Sequence, residues 1–430
     1  MRNLSKDLFL NTMTCPTLGW ELRNDDISGH GSQFPRTLGE KFRVEQGIDI
    51  GNRARSLFPT GLLIEEKDMA RAAAATRQAM EDPRILTIFE AAFFVDSTAA
   101  RADILIRDGT GWSLIEVKSS ANDRGNYIDD MAYTAMVLTQ AGLVITSASL
   151  LLISKEFRLG MDNRDLFVEV DHTDEVLLHA EALRQLWPNI IDETSGPEKP
   201  RPVLKFECKK CSLFSECTGK EIKNHIFQIP RLSPKKFLEL TASGIVSIED
   251  VPASFPLTER QTMMWESVQA QSPMVRDELE SELERIAWPA HYLDFESVMT
   301  AIPLYPNTPP YHQVPTQYSS HCCDNVGHVM AHAEYLCDHT KDSRFDLAKR
   351  LIEDLPGNGS IIVYSNFEKT IINALAVAFP SLAPSLESLV DRIVDLQDII
   401  IKNFYHHDFG GSVSLKSTLP ALVPAMSYSN

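Results

Sequence analysis

The stretch Arg101-Ala-Asp103-Ile-Leu-Ile-Arg-Asp-Gly-Thr-Gly-Trp-Ser-Leu-Ile-Glu116-Val-Lys118 constrains this chain more than any other. Ile104, Ile106, Leu114 and Val117 are strand formers, and Asp108-Gly109-Thr110-Gly111 is turn chemistry, so the pattern predicts two short strands joined by a tight turn. Each strand carries acid where a sheet favours apolar side chains. Asp103 falls near the start of the first strand. Glu116 and Lys118 lie two apart on the second and project from one face. Two carboxylates brought together repel unless a divalent cation lies between them, and hard cations such as Mg²⁺ take oxygen ligands. Without such an ion, the same residues make a surface hairpin with an ordinary Glu116–Lys118 ion pair.

Asp, a short gap, then Glu-x-Lys on the next strand resembles the PD-(D/E)xK nucleases, and within them the RecB-like branch. The resemblance implies that Asp103 and Glu116 bind Mg²⁺ or Mn²⁺ and that Lys118 activates the attacking water by orienting or deprotonating it.

The rest of the chain supplies the context. With 430 residues it is too long for one simple core and predicts two or three domains. A hydrophobic share of 43% with 23% charged residues is that of a soluble globular protein. Met1-Arg-Asn-Leu-Ser-Lys-Asp lacks the apolar core of a signal peptide, and runs such as Ala148–Ile153 are too short to span a membrane, so a cytoplasmic protein without a membrane partner is expected. A net charge of −18 is awkward for a protein that grips phosphates. The reversal between Arg201 and Lys236, nine Lys/Arg against three Glu, leaves room for a local basic patch.

Seven cysteines in a cytosolic chain are expected to be free, metal-bound or catalytic. Cys208, Cys211 and Cys217 are spaced C-x2-C-x5-C, Cys15 stands alone near the start, and Cys322, Cys323 and Cys337 have no ligand spacing. One Cys ahead of a RecB-like core and this run behind it resembles the iron–sulfur-stapled nucleases. These include CRISPR adaptation exonucleases and nuclease subunits of recombination helicases. The resemblance implies that Cys15, Cys208, Cys211 and Cys217 hold a structural [4Fe-4S] cluster. The same four thiols would also suit zinc.

Along the chain, Leu4–Leu10 predicts a capped first helix leading to Cys15, with Trp20 as a core anchor. Asn24 to Gly39 is loop-like, and Lys41 to Ser56 reads as a helix apart from Gly47 and Gly51. Related nucleases often carry a metal-binding His here; this chain has Gly51 in that slot, one protein ligand fewer. Lys67 to Glu81 predicts a helix, and Ile85 to Val95 an apolar strand that contains Glu90. Glu90 is either a third acid at the site or a strand-edge residue reaching solvent. Tyr127 to Gly142 is a helix by its apolar face. RecB-like nucleases place a Gln and a Tyr there near DNA, so Tyr133 is a candidate nucleic-acid contact or a core residue, and no Gln precedes it. The order helix–strand–strand–strand–helix–strand suits a restriction-endonuclease-like fold. Asp171 to Ile191 is a further helix, and a Pro-rich lead at 195–202 enters the cysteine run.

Residues 232–252 read as short helices around a Gly turn, a connector or a DNA-backbone element, and 257–287 as a long charged helix region. Ala290-His-Tyr-Leu-Asp294-Phe-Glu296 is then an apolar strand ending in two acids on one face. It resembles the first motif of ribonuclease H-like, DEDD-type 3′→5′ exonucleases. That resemblance makes Asp294 and Glu296 catalytic metal ligands, with Glu368 and Asp395 as further ligands. His406, His407 and Asp408 come too early to replace the final Asp of such a site, so this second site reads as C-terminally short. Across nearly the whole chain, including Tyr292–Glu296, Pro310–Tyr318 and Tyr405–Pro420, the sequence resembles an uncharacterised bacterial family of nuclease-like proteins.

The expectation is an α/β protein: a restriction-endonuclease-like domain over 1–228, a helical connector over 229–287, and a ribonuclease H-like domain over 288–430. Its expected activity is metal-dependent, exonuclease-like hydrolysis of DNA, with RNA as the other substrate class and a helicase or other DNA-processing partner. The competing expectations are a catalytically weak nucleic-acid-binding protein and a zinc-stabilised interaction protein.

Overall fold

The computed structural model describes residues 3–28 and 37–426. Part of the loop expected over Asn24–Gly39 lies outside them. The chain is α/β and forms two compact units, 1–203 with 299–312, and 204–298 with 313–430. These boundaries differ from the expected ones in two ways: the cysteine run belongs to the second unit, and a segment from the C-terminal half belongs to the first.

In the first unit, α1 (Lys6–Thr14) starts at Ser5, whose hydroxyl accepts from the Leu8 N–H, and ends on Cys15. There follow α2 (Pro16–Ser28), α3 (Leu38–Arg55), β1 (Leu62–Leu63), α4 (Met69–Glu81), β2 (Thr87–Val95), β3 (Thr98–Asp108), β4 (Gly111–Val117), α5 (Gly125–Gln140), β5 (Ile145–Ile153), β6 (Phe167–Asp171) and α6 (Thr173–Ser195). α3 is closed at its start by reciprocal Thr37 and Glu40 bonds and runs unbroken through Gly47 and Gly51.

The sheet order is β1-β2-β3-β4-β5-β6. β2, β3 and β4 form an antiparallel meander, and α5 is the crossover that returns β5 parallel to β4. α1, α4, α5 and α6 contribute to the main core beside Leu105, Leu114 and Leu150, while α3 packs Ala54 against Phe89, Ile104, Ile115 and Leu151. β3 is longer than expected, so Asp103 lies in its middle. The Asp108–Gly111 turn puts Gly109 at φ 57°, where glycine carries no steric cost.

Tyr133 is completely buried in α5, and its hydroxyl donates to the carbonyls of Leu4 and Ala99. Residues 131–138 of that helix are buried all round. The nucleic-acid contact expected of Tyr133 therefore gives way to a structural role, because a fully enclosed ring has no surface to offer.

The second unit opens with α7 (Pro234–Ala242), α8 (Glu259–Ala270), β7 (Met274–Val275) and α9 (Glu278–Glu284), so 257–287 is not one long helix. Ile226, Phe227, Phe237, Met264, Tyr405 and Phe409 give this connector a core shared with the end of the chain. Then come β8 (Ala290–Val298), β9 (Val314–Asn325), β10 (His328–Leu336), α10 (Arg344–Asp354), β11 (Ile361–Val363), α11 (Phe367–Ala378), α12 (Ala383–Val390), β12 (Ile393–Asp395), α13 (Leu396–Asn403), β13 (Phe404–Tyr405) and α14 (Leu415–Leu422). Strand order β10-β9-β8-β11-β12, antiparallel across the first three and parallel from β8 to β12, is the expected ribonuclease H-like arrangement.

Replacing Tyr133 by Phe removes one hydroxyl that serves two buried carbonyls. The expected cost is about 1–2 kcal/mol, a drop of a few degrees in thermal melting.

Candidate active site

β3 and β4 pair from Ile104↔Ile115 to Asp108↔Gly111 and then part. Asp103 and Glu116 are the next residues on each strand, at the fork. β4 continues on β5, with Glu116 opposite Leu150, while the Asp103 carboxylate bridges the gap by accepting the Val117 N–H at 2.8 Å. The motif's spacing thus turns into geometry: the ladder ends where the two acids begin.

Glu116 is 3% exposed. Its Oε1 accepts from Lys6 Nζ at 2.9 Å and from Lys118 Nζ at 3.0 Å, while Oε2 is buried with no hydrogen-bond partner among the described residues. Burial opposes its ionisation, but the two ammonium groups outweigh it and hold its pKa below the usual glutamate value. Asp103 lacks such partners. Burial, followed by the charges of Glu116 and Glu90 against the opposing Val117 hydrogen bond, pushes it up to about 8.

Lys118 Nζ also donates to Asp130 of α5 at 2.5 Å and stands 5.2 Å from the centre of the Tyr127 ring. Burial works against its charge, yet Glu116 and Asp130 more than compensate, so its pKa is held above the usual lysine value. An ammonium that keeps its proton so firmly can orient water and offset phosphate charge. It is poorly suited to the deprotonating role among the two expected of Lys118.

Glu90 lies opposite Asp103 in the β2–β3 register, in a place where no direct pairing is made. Its φ of 53° is a left-handed conformation in mid-strand, a strain of about 1–3 kcal/mol at the position where the ladder is interrupted. Its carboxylate is 3.5 Å from Arg55. A pocket of about 460 Å³ brings Glu90 and Asp103 together with Ser119 and, from α3, Gly47, Ile48, Gly51 and Arg55. A Cβ on either glycine would meet nothing within 4 Å. Each interior glycine costs a helix about 1 kcal/mol relative to alanine, and here the pair leaves open space above the acids. The position where a His was expected, Gly51, does face the site.

Glu116, Asp103 and Glu90 are all oxygen donors, although among the described residues their ligand atoms do not gather within 4.8 Å of one another. That set suits a hard divalent cation. Lys6 and Asp130 completed the charge balance without any signal in the sequence, since Lys6 is 110 residues from its partner.

The second unit gathers acids as well. Asp294 is exposed on β8, beyond the last β8–β11 pair, Ile362↔Tyr292. Glu368 lies in the first turn of α11, just after β11, and Asp395 ends β12. Glu368 is 4% exposed, with Oε2 lacking a partner among the described residues. Burial first, then the charges of Asp294 and Asp395, raise its pKa to about 7. Asp395 accepts from the N–H groups of Gln397 and Asp398 as the cap of α13. Glu296 lies on the same exposed β8 face as Asp294 but is not among the charges acting on Glu368. His406, His407 and Asp408 bring their ligand atoms within 4.8 Å of one another, yet His406 Nδ1 already accepts the Asp408 N–H.

Cys15, Cys208, Cys211 and Cys217 are partly exposed and none of them is in a disulfide. Cys208 and Cys211 span one tight turn, the Cys211 N–H donating to the Cys208 carbonyl, and the Lys205 N–H points to Cys208 Sγ at 3.4 Å. Cys217 ends the next turn. Thiolates are soft ligands of the kind an iron–sulfur cluster or zinc takes, but among the described residues no three of these sulfurs lie within 4.8 Å of one another.

A family model described as a domain of unknown function (DUF2779) matches residues 291–414. No curated protein matches the chain. A structure described as "Crystal structure of SSO0001" is 16% identical over 47% of this chain and 81% of its own, with a TM-score of 0.25. Another, "Crystal Structure of LHK-Exo in complex with dAMP", is 13% identical over 45% of this chain and 90% of its own, with a TM-score of 0.26. Overlaps this slight leave the weight on the chain's own geometry. Among the described residues, no helix is long and apolar enough to cross a membrane.

The buried acid of the second unit has a pH signature. A glutamate raised from 4.5 to about 7 in the folded state binds more protons folded than unfolded, so stability falls as pH rises through that window. In metal-free protein Glu368→Gln should remove this loss. The variant should exceed the parent by on the order of 2–3 kcal/mol at pH 8 and match it near pH 4, as read by urea unfolding at the two pH values.

Proposed function

We propose that this chain is a divalent-cation-dependent nuclease that hydrolyses phosphodiester bonds of DNA at the fork between β3 and β4. The observation that carries the reading is Glu116, buried, held ionised through Oε1 by two lysines, with Oε2 left unpartnered. A buried acceptor without a partner is costly, and a ligand that completes it removes that cost.

Asp103 and Glu116 would hold Mg²⁺ or Mn²⁺, with Glu90 as a third oxygen donor. Bound there, the cation would polarise the phosphate and make a bound water more acidic. The chain's own residues do the rest. The Val117 N–H fixes the Asp103 carboxylate, and Lys6 and Lys118 fix Glu116. Lys118, anchored by Asp130 over Tyr127, orients the attacking water and offsets charge building on the phosphate. The open wall at Gly47 and Gly51 lets the strand approach closely.

The C-terminal site is a second reading, favoured by one observation: Glu368 keeps an unpartnered buried oxygen beside Asp294 and Asp395. Such an arrangement fits DEDD-type exonucleolytic cleavage of the same substrate class. Cys15, Cys208, Cys211 and Cys217 would hold a [4Fe-4S] cluster through thiolates as a structural clamp.

Mg²⁺-dependent cleavage of labelled oligonucleotides should be abolished by chelation and lowered about 100-fold or more by Asp103→Asn or Lys118→Ala. Cleavage that survives both but is lost with Asp294→Asn would move the chemistry to the second unit. Protein purified without oxygen should be brown and carry iron that Cys211→Ser releases; colourless protein with stoichiometric zinc would reject the cluster.

A further inference from the structure

The segment 299–312 leaves the second unit after β8 and belongs to the first. Ala301 is 2% exposed among Ile50, Ile153, Phe157 and Leu166, with Ile302 and Tyr311 packed on the same cluster. The Ala301 N–H donates to Gln46 of α3 at 2.5 Å, and the Tyr311 N–H closes the excursion on the Thr300 carbonyl at 2.8 Å. The segment is therefore anchored at both ends of its reach.

Tyr311 is held there at φ 58°, a conformation that a bulky aromatic residue rarely adopts. Such strain persists where surrounding contacts enforce it, and it concentrates at binding and catalytic positions. It directs the side chain to Ser119, with Tyr311 Oη 2.9 Å from Ser119 Oγ. Ser119 follows Lys118 directly, is exposed, and lines the pocket that holds Asp103 and Glu90. Tyr127, under Lys118, and the exposed Arg124 are the charged or ionisable groups that act on the Tyr311 hydroxyl together with Ser119. The Tyr311 hydroxyl thus meets the Ser119 hydroxyl at the wall of the acid pocket, with the Arg124 charge acting on it.

We propose that Tyr311 is a substrate-binding residue of the first site, its hydroxyl acting together with that of Ser119 to hold the phosphate next to the one being cut, with Arg124 adding positive charge nearby. This rests on the nuclease reading of the Asp103–Glu116 site. Hydroxyl and guanidinium groups donate to non-bridging phosphate oxygens without reading the base, so the subsite takes a nucleic-acid backbone rather than a particular sequence. It also explains why residues so far along the chain are built into the first unit.

The test uses the full-length protein with fluorescein-labelled thymidine oligonucleotides and Mg²⁺. Tyr311→Phe keeps the packed ring and removes only the hydroxyl. The expected result is a KM raised about tenfold with kcat nearly unchanged, the equivalent of one lost charge-assisted hydrogen bond. Ser119→Ala should behave alike, and melting temperatures should stay within a degree of the parent. Anisotropy titrations with Ca²⁺ in place of Mg²⁺ should show the same weakening. Wild-type cleavage that Asp103→Asn abolishes, together with an unchanged KM for Tyr311→Phe, would overturn this inference alone. No wild-type cleavage, or cleavage indifferent to Asp103→Asn, would overturn the nuclease reading and this subsite with it.

Discussion

Everything at the first site follows from the cost of enclosing negative charge. Three acids, Glu90, Asp103 and Glu116, meet where a sheet loses its pairing, and water cannot solvate them fully there. The fold answers unequally. Glu116 receives two ammonium groups on one oxygen and stays ionised, whereas Asp103 receives one backbone N–H and resists ionisation. Such divergent environments for neighbouring acids are what the proposed cation site would draw on. Burying an incomplete charge set lowers the stability of the free protein, so a molecule that keeps one needs a reason outside folding.

The two units solve the same problem with different architecture. In the first, a meander splits and its two strands expose acids at the fork. In the second, β8, β11 and β12 run parallel and deliver Asp294 just beyond the last β8–β11 pair, Glu368 just after β11 and Asp395 at the end of β12. Each site contains one nearly inaccessible glutamate whose second oxygen lacks a partner among the described residues. The difference lies in counter-charge: Lys6 and Lys118 stand beside Glu116, while the charges acting on Glu368 are both acidic. The first site therefore sets an ionised Glu116 beside an Asp103 that resists ionisation, while the second holds a glutamate that takes up a proton near neutrality.

Local chemistry was legible in the sequence. Strand formers around Asp108–Gly111 gave the hairpin, Ser5 and the residues after it gave α1, and Asp294-x-Glu296 gave an acidic strand face. Pairings across long separations were not. Lys6 on Glu116, Asp130 on Lys118 and Tyr311 on Ser119 have no periodicity to announce them, because they arise only after the elements pack. Of the two readings open for Tyr133, a nucleic-acid contact or a core residue, burial favours the core, within the run 131–138 that is buried throughout. Gly47 and Gly51 looked like helix interruptions. A capped start and packing of Ala54 hold α3 through both of them.

The excursion of 299–312 separates the order of the chain from the order of assembly. Ile50, Ile153, Phe157 and Leu166 form a socket that only a much later part of the polypeptide fills, with Ala301 and Ile302. Until those later residues have been made, the socket has no cover from them. A gene cut between the halves would leave the same gap permanently. The two units are thus bound to a single reading frame by an apolar plug, whatever chemistry each performs.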